Sequence, residues 1–218
     1  MKHRIIRKLR RIPKHSLLLL GIILFVFVFP LFEKSVMKGF LISLSYSLMI
    51  LSVASIVEFK KKWIYYLIII AVAFQWVNFF TTFSNYPIFN FASFGFSVVV
   101  FSIAIYLMIK QIIASKRVDA GLIIETIIGY LLIGIVFTLI NVLQTSYNPH
   151  SIGFETDTPR LGEIIYYSYV TFTTIGYGDI SPITQPARGF AILFGLIGQL
   201  YLTIIIAFII GKYLNTKK

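Results

Sequence analysis

Six apolar stretches divide this chain, and short clusters of basic residues lie between many of them. A helix needs about 20 apolar residues to cross the hydrocarbon core of a bilayer, and these stretches have about that length. They cover residues 16–32, 39–57, 63–83, 89–113, 120–143 and 187–211. With 58% apolar and 13% charged residues, the chain has too little polar surface to coat a soluble globule. We therefore expect an all-α membrane protein with six transmembrane helices, held in a lipid bilayer.

The basic residues indicate which side of the membrane each segment faces. If both termini are cytoplasmic, sixteen of the 20 Lys and Arg residues face the cytoplasm and four face outward. That excess agrees with the positive-inside rule. It also explains the net charge of +12 by membrane topology rather than by binding to nucleic acid. We predict a multi-pass plasma-membrane protein whose basic cytoplasmic arm, residues 1–16, is an orientation signal, with contact to anionic lipid headgroups as the weaker alternative.

A short segment between the last two stretches is expected to enter the membrane without crossing it. Residues 144–161 contain Asn148-Pro149 and Thr158-Pro159, which are typical of a turn-rich extracellular loop. The helix predicted at 162–173 is too short to span a bilayer and must re-enter. Irregular backbone at that depth is tolerated only where protein encloses it or it lines water.

The polar sequence Thr-Thr-Ile-Gly-Tyr-Gly-Asp follows this helix at residues 173–179. Gly176 and Gly178 have no Cβ and can take positive φ, and residues of alternating handedness turn successive carbonyl oxygens to one side of an extended chain. Rings of such oxygens can replace the water shell of a cation, and the established example is the potassium-channel sequence Thr-Val-Gly-Tyr-Gly. The alternative is a glycine-rich turn between two membrane helices. The flanking Thr, Asp and Pro residues and the neighbouring spans disfavour that alternative.

Residues 166–182, Tyr-Tyr-Ser-Tyr-Val-Thr-Phe-Thr-Thr-Ile-Gly-Tyr-Gly-Asp-Ile-Ser-Pro, resemble the pore helix, selectivity filter and exit of the tetrameric potassium-channel superfamily. The likeness covers about residues 120–212, and one departure is Ile175, where the family usually has Val. The resemblance implies a pore domain at 120–218 in which four identical chains surround the ion path. Its parts would be an outer helix at 120–143, an extracellular loop at 144–161, a pore helix at 162–173, a filter at 174–179 and an inner helix at 187–211.

The same resemblance assigns roles to single residues. The filter would bind K⁺, the permeant ion rather than a cofactor, through Thr174, Ile175, Gly176 and Tyr177, with Gly178 completing it. Asp179 would be held behind the filter by the hydroxyl of Tyr166, because Val170 lacks the carboxyl that other members use there. Gly198 matches the family's hinge glycine. Close packing is the alternative for Gly195 and Gly198, and we favour Gly198 as the hinge and Gly195 as a packing residue.

Residues 17–119 are predicted to form a four-helix transmembrane domain without gating charges. A voltage-sensing helix carries Arg or Lys at about every third position. The fourth stretch has no charged residue from Phe89 to Ile109 and has its first basic residue at Lys110. Gln75 and Asn78 are polar at membrane depth in the third stretch. We favour hydrogen bonds between helices over a functional site for these two side chains.

These patterns predict a potassium-selective channel that conducts passively as a homotetramer and is not steeply voltage gated. The alternatives are a weakly selective cation channel and a non-conducting membrane scaffold or accessory subunit. No enzyme and no cofactor is expected, because the chain has no cysteine and its three histidines are scattered. The chain ends about one turn beyond the predicted inner helix. A separate regulatory subunit is therefore kept as a further candidate partner.

Overall fold

The computed structural model describes residues 16–28, 36–56, 62–81, 87–115, 118–156 and 158–215, and these residues form an all-helical fold. Residues 1–15 of the predicted basic arm and the charged clusters at 57–61 and 116–117 lie outside this part of the chain. Helix α1 (Ser16–Ile23) continues as a π-helical turn at Leu24–Val28. The other helices are α2 (Val36–Ile56), α3 (Lys62–Thr81), α4 (Pro87–Ala114), α5 (Ala120–Tyr147), a 3₁₀ turn at Pro149–Ser151, α6 (Leu161–Phe172) and α7 (Gln185–Asn215).

Three helices of the described chain are long and apolar enough to cross a membrane, at Phe91–Ala114, Ala120–Tyr147 and Gln185–Leu214. Three shorter apolar helices lie at Ser16–Val28, Ser43–Val53 and Ile68–Val77. The structure thus agrees with a helical membrane protein. The count of six membrane spans stays a prediction.

Local sequence sets where α5 and α6 begin and end. Asp119 extends its backbone before α5, and its Oδ1 accepts the N–H of Leu122 at 2.9 Å, which caps the helix. Helix α5 runs to Tyr147 because Asn148, in an extended conformation, precedes a proline. In the first turn of α6 the carboxylate of Glu163 accepts the N–H of Arg160 at 3.1 Å. This bond is half of a capping box.

The N-terminal helices, α1 to α4, pack largely through apolar side chains, and a buried glutamine links three of them. Gln75 is 7% exposed; its amide donates to Ser43 Oγ at 3.5 Å and accepts from Ser93 Oγ at 3.0 Å. Since these residues belong to α2, α3 and α4, the glutamine joins three helices. The hydrogen bonds between helices predicted for Gln75 are therefore confirmed, whereas the side chain of Asn78 lies outside the described residues.

The C-terminal unit, α5 to α7, is joined to the N-terminal helices along α5 and again at its end. Helix α4 packs along α5, and α5 in turn packs against α6 and α7. Near the end of α7, Lys212 Nζ donates to the carbonyl oxygens of Ile112 (3.1 Å), Ile113 (2.9 Å) and Ser115. The last carbonyls of a helix have no partner within it, so the lysine satisfies the end of α4.

Candidate functional site

The segment that follows α6 has an alternating backbone. Positive φ angles occur at every second residue, Thr174 (63°), Gly176 (57°) and Gly178 (84°). Ile175 and Tyr177, which lie between them, do not have positive φ. This alternation of backbone hand is the conformation that turns successive carbonyl oxygens to one side. The backbone of the 174–178 segment therefore suits a column of oxygen ligands for a cation.

The first half of this segment is anchored to the last turn of α6. The N–H groups of Thr174 and Gly176 donate to the carbonyl oxygens of Thr171 (3.0 Å) and Val170 (3.1 Å). Thr173 donates its own N–H to Tyr169 O at 2.9 Å. The segment therefore starts at the carboxyl end of α6, where the helix dipole places a partial negative charge of about half an elementary charge. This end of α6 is electrostatically favourable for a cation.

The second half is anchored from the side by Tyr166 and Asp179, which the structure brings together. Tyr166 Oη donates to Asp179 Oδ2 at 2.6 Å. This hydrogen bond raises the pKa of Tyr166 to about 12 and lowers the pKa of Asp179. The phenol thus stays protonated and the carboxylate ionised near neutral pH. The bond joins the middle of α6 to the residue directly after Gly178.

Helix α6 is held in turn by α5. Tyr169 Oη donates to the carbonyl oxygen of Leu131 at 2.7 Å, and a Cβ at Gly134 would lie 2.6 Å from Cε1 of the same tyrosine. The absence of a side chain at Gly134 therefore lets the Tyr169 ring lie against α5. Two turns after Gly134 on α5, Asn141, only 1% exposed, donates to Ser168 Oγ at 2.9 Å. Two polar contacts, one buried and one partly buried, thus fix α6 on α5.

Gly198 brings α7 against the end of α6. A Cβ there would lie 2.5 Å from the carbonyl oxygen of Phe172 and 2.9 Å from its ring. At Gly195 a Cβ would meet no atom of the described chain within 4 Å. Among the described residues, close packing is thus found at Gly198 and not at Gly195. The sequence had favoured Gly195 as the packing residue. A hinge role for Gly198 stays a prediction.

The loop before α6 is tied to the residues after Asp179. Gly153 N–H donates to Ser181 O and Ile183 N–H donates to Ser151 O, each at 2.9 Å. These bonds flank the bridge between Ile152 and Pro182. In this loop the side chain of Glu155 is exposed, whereas Asp157 lies outside the described residues. The carboxyl-terminal end of the 174–179 segment therefore leads into a loop that is held by hydrogen bonds.

Two polar side chains of this site were missed in the sequence, Asn141 and Gln199. Gln199 Nε2 donates to Thr174 Oγ1 at 3.2 Å. Both residues are uncharged polar groups within long apolar stretches, a pattern that marks functional or structural hydrogen bonding in a membrane helix. The positive φ of Thr174 was missed for another reason, since a β-branched residue seldom adopts that conformation.

Comparisons with known proteins point to the same part of the chain. Residues 125–215 match the profile of a family described as "Ion channel". Two pore potassium channel c of Oryza sativa subsp. japonica is 36% identical over 61 residues, or 28% of this chain and 13% of that protein. Two-pore potassium channel 5 of Arabidopsis thaliana is 34% identical over 85 residues, or 38% of this chain and 20% of that protein. No solved structure matches the chain significantly. The match to the ion-channel profile thus covers most of α5, together with α6, the 174–179 segment and α7. The chain spans a fifth or less of the length of these curated relatives, which are potassium channels by name.

Proposed function

We propose that this protein is a potassium-selective channel that passes K⁺ passively down its electrochemical gradient. In this proposal the 174–179 segment is the selectivity filter, and Thr174, Ile175, Gly176 and Tyr177 supply the oxygen ligands. Tyr166 and Asp179 support the filter from behind. The permeant ion is dehydrated as it enters, because backbone carbonyls replace its water shell.

The observation that carries this proposal is the alternation of backbone hand at Thr174, Gly176 and Gly178. A glycine-rich turn between two helices has no need for positive φ at every second position, and least of all at a threonine. The names of both relatives support K⁺ as the ion. The attachment of this segment to α6, whose dipole favours a cation, supports the same conclusion.

We propose further that four copies of the chain surround the ion path. The chain contains one Gly-Tyr-Gly sequence, so a single copy supplies one column of oxygens and a ring needs several copies. The side chains of Ile175 and Tyr177 are 57% and 71% exposed in the single chain. Large apolar side chains at that exposure suit burial against neighbouring copies. A homotetramer would cover them and close the ring.

The proposed setting is the plasma membrane, with both termini in the cytoplasm and no enzymatic activity. Opening would not depend steeply on voltage, because α4 carries no charged residue before Lys110. A weakly selective cation channel and a non-conducting scaffold or accessory subunit are the competing functions. The complete Thr-Ile-Gly-Tyr-Gly-Asp sequence favours a selective filter over both.

Ion flux into liposomes distinguishes these three functions. Purified protein is reconstituted, and uptake of K⁺, Rb⁺ and Na⁺ is measured with and without Ba²⁺. The proposal predicts uptake of K⁺ and Rb⁺ far above that of Na⁺, with inhibition by Ba²⁺. Equal uptake of Na⁺ and K⁺ indicates a weakly selective channel, and no uptake from assembled protein indicates a scaffold.

A further inference from the structure

Gln199 reaches the inner end of the filter from α7. Its amide donates to the hydroxyl of Thr174 at 3.2 Å, although 25 positions separate the two residues in sequence. We propose that Gln199 is a positioning residue for the innermost cation site of the filter. By holding the Thr174 hydroxyl in place, it sets how tightly that site binds a cation arriving from the inner side. The inference rests on the proposed function.

Thr174 needs such support because of its backbone. It is the one non-glycine residue with positive φ in the described part of the chain, at 63°. A β-branched residue in that region is an outlier that persists only when its surroundings hold it there. Helix α6 restrains its backbone through the bond to Thr171 O at 3.0 Å. Gln199 restrains its side chain from α7.

The chemistry of this contact leaves the hydroxyl able to bind a cation. A threonine hydroxyl has one donor and two acceptor lone pairs. The amide of Gln199 occupies one lone pair, and the other is left for the ion. Because the amide also fixes the side-chain rotamer, the oxygen of each subunit would be held at the lowest ring of ligands rather than rotating away.

Gly198 makes the contact possible. With no Cβ at residue 198, α7 lies directly against the carbonyl of Phe172, and the next residue is brought beside Thr174. Thr203 lies one turn further along α7, and its hydroxyl donates to the carbonyl oxygen of Gln199 at 2.9 Å. This second bond stays within α7. Thr203 is therefore a polar position on the same helix that can serve as a matched control.

Block by Ba²⁺ is a direct probe of the innermost site. Its double charge makes binding more sensitive to each oxygen ligand than binding of K⁺. Single channels in planar bilayers are first shown to pass K⁺, and Ba²⁺ is then added in turn to each side. Three variants of Gln199 are compared: Gln199→Leu removes the amide, Gln199→Asn shortens it by one methylene, and Gln199→Glu keeps the length and accepts a bond from the hydroxyl.

We expect Gln199→Leu and Gln199→Asn to raise the half-blocking Ba²⁺ concentration about tenfold, the order expected when a net hydrogen bond is lost. The change should appear for Ba²⁺ added on one side only, the side that meets Thr174 first. Gln199→Glu should restore the restraint and add negative charge, so its half-blocking concentration should fall below that of the wild type. Thr203→Val should leave block unchanged.

Several results would overturn the inference. These are unchanged block in the leucine and asparagine variants, an equal change in Thr203→Val, or loss of conduction in all three Gln199 variants although their tetramers assemble. A wild-type protein that passes no K⁺ removes the proposed function and the inference with it. A conducting wild type whose block is insensitive to residue 199 removes the inference alone.

Discussion

The N-terminal helices and the C-terminal unit are both built from apolar helices, yet they are held together in different ways. In the C-terminal unit, side chains donate to distant groups: Tyr169 to Leu131 O, Tyr201 to Thr126 O at 2.9 Å, and Asn141 to Ser168. In the N-terminal helices Gln75 joins α2, α3 and α4 through the hydroxyl groups of Ser43 and Ser93. Aromatic contacts such as Tyr46 with Phe101, at 5.7 Å between ring centroids, complete that packing.

The hydrogen bonds of the C-terminal unit fix a specific geometry, whereas the apolar contacts of the N-terminal helices provide general packing. Lipid is as apolar as the side chains themselves, so apolar contacts between membrane helices tolerate exchange of similar side chains. A hydrogen bond to one particular carbonyl does not tolerate such exchange. Single substitutions in the C-terminal unit should therefore change conduction strongly, and matched substitutions in the N-terminal helices should change it weakly.

The largest effect is expected from Gly178→Ala. A Cβ at φ 84° is strained, so the backbone of the 174–178 segment cannot keep its alternation. We expect K⁺ flux in liposomes to be abolished. The matched control is Gly95→Ala in α4, where a Cβ meets no atom of the described residues within 4 Å and φ is not positive. Its flux should equal that of the wild type, and robust K⁺ flux through Gly178→Ala would place the filter elsewhere.

A strong effect is also expected from Gly198→Ala. Its Cβ would overlap the carbonyl oxygen of Phe172, and overpacking of this kind costs about 1–3 kcal/mol. Thermal unfolding of the purified protein should show a lowered midpoint, with little change for Gly195→Ala. If Gly198→Ala kept full stability and altered only the opening rate, the hinge role would be the better explanation.

A moderate effect is expected from Tyr166→Phe. The variant loses the bond to Asp179, so the 174–179 segment loses a lateral anchor in each chain. Conduction during sustained activity should decline faster than in the wild type, as measured by current decay in bilayers at constant voltage. Tyr147→Phe, at the exposed end of α5, provides the control. Identical decay in the two variants would contradict a supporting role for Tyr166.

The pKa shifts of Tyr166 and Asp179 also predict the pH range over which their hydrogen bond is kept. The pKa of Asp179 is lowered below its ordinary 3.8, so its contribution is present above that value and is lost as pH falls further. The pKa of Tyr166 is raised from 10.0 to about 12, so its contribution is complete below pH 10 and is lost as pH rises through about 12. Current decay in the wild type should therefore be constant between about pH 4 and pH 10.

A small effect is expected from Gln75→Leu in the N-terminal helices. Hydrogen bonds between membrane helices contribute about 0.6 kcal/mol on average, and Ser43 and Ser93 can turn to carbonyls of their own helices. We expect a slightly lowered unfolding midpoint and unchanged selectivity for K⁺ over Na⁺. A loss of selectivity in this variant would mean that the two regions are coupled far more tightly than their contacts indicate.

The smallest effect is expected when membrane voltage is changed and open probability is measured. One elementary charge that crosses 100 mV contributes ~2.3 kcal/mol, and a sensor supplies three or four such charges per subunit. Helix α4 has no charged residue before Lys110, which lies exposed near its end. Open probability should therefore vary only weakly with voltage in bilayers. A steep dependence, of the order that a sensor with those charges produces, would show that the N-terminal helices have been misinterpreted.

The sequence predicted the order of helices in the C-terminal unit closely, because each carries a clear local signal. Helix α6 was expected at 162–173 and lies at Leu161–Phe172, and α7 was expected at 187–211 and lies at Gln185–Asn215. Asn148-Pro149 ends α5, and the carboxylate of Glu163 caps the first turn of α6. The contact between Tyr166 and Asp179 was also anticipated, through the resemblance of this segment to a known family.

Contacts between distant parts of the chain could not be predicted from local sequence patterns. Gly195 and Gly198 lie three residues apart on α7, and their spacing alone does not show which one faces Phe172. Lys212 contacts carbonyls about a hundred positions earlier, and Gln199 contacts Thr174 across a loop. Such pairs depend on how α7 lies against α4 and α6, which no local pattern in the sequence specifies.

The reversal potential of the current under asymmetric salt tests the central claim most directly. Wild-type protein is placed in a planar bilayer, and K⁺ and then Na⁺ is varied on one side. If the 174–179 segment is a potassium filter, the reversal potential follows the K⁺ gradient and does not move when only Na⁺ is changed. A reversal potential that responds equally to both ions would contradict the account.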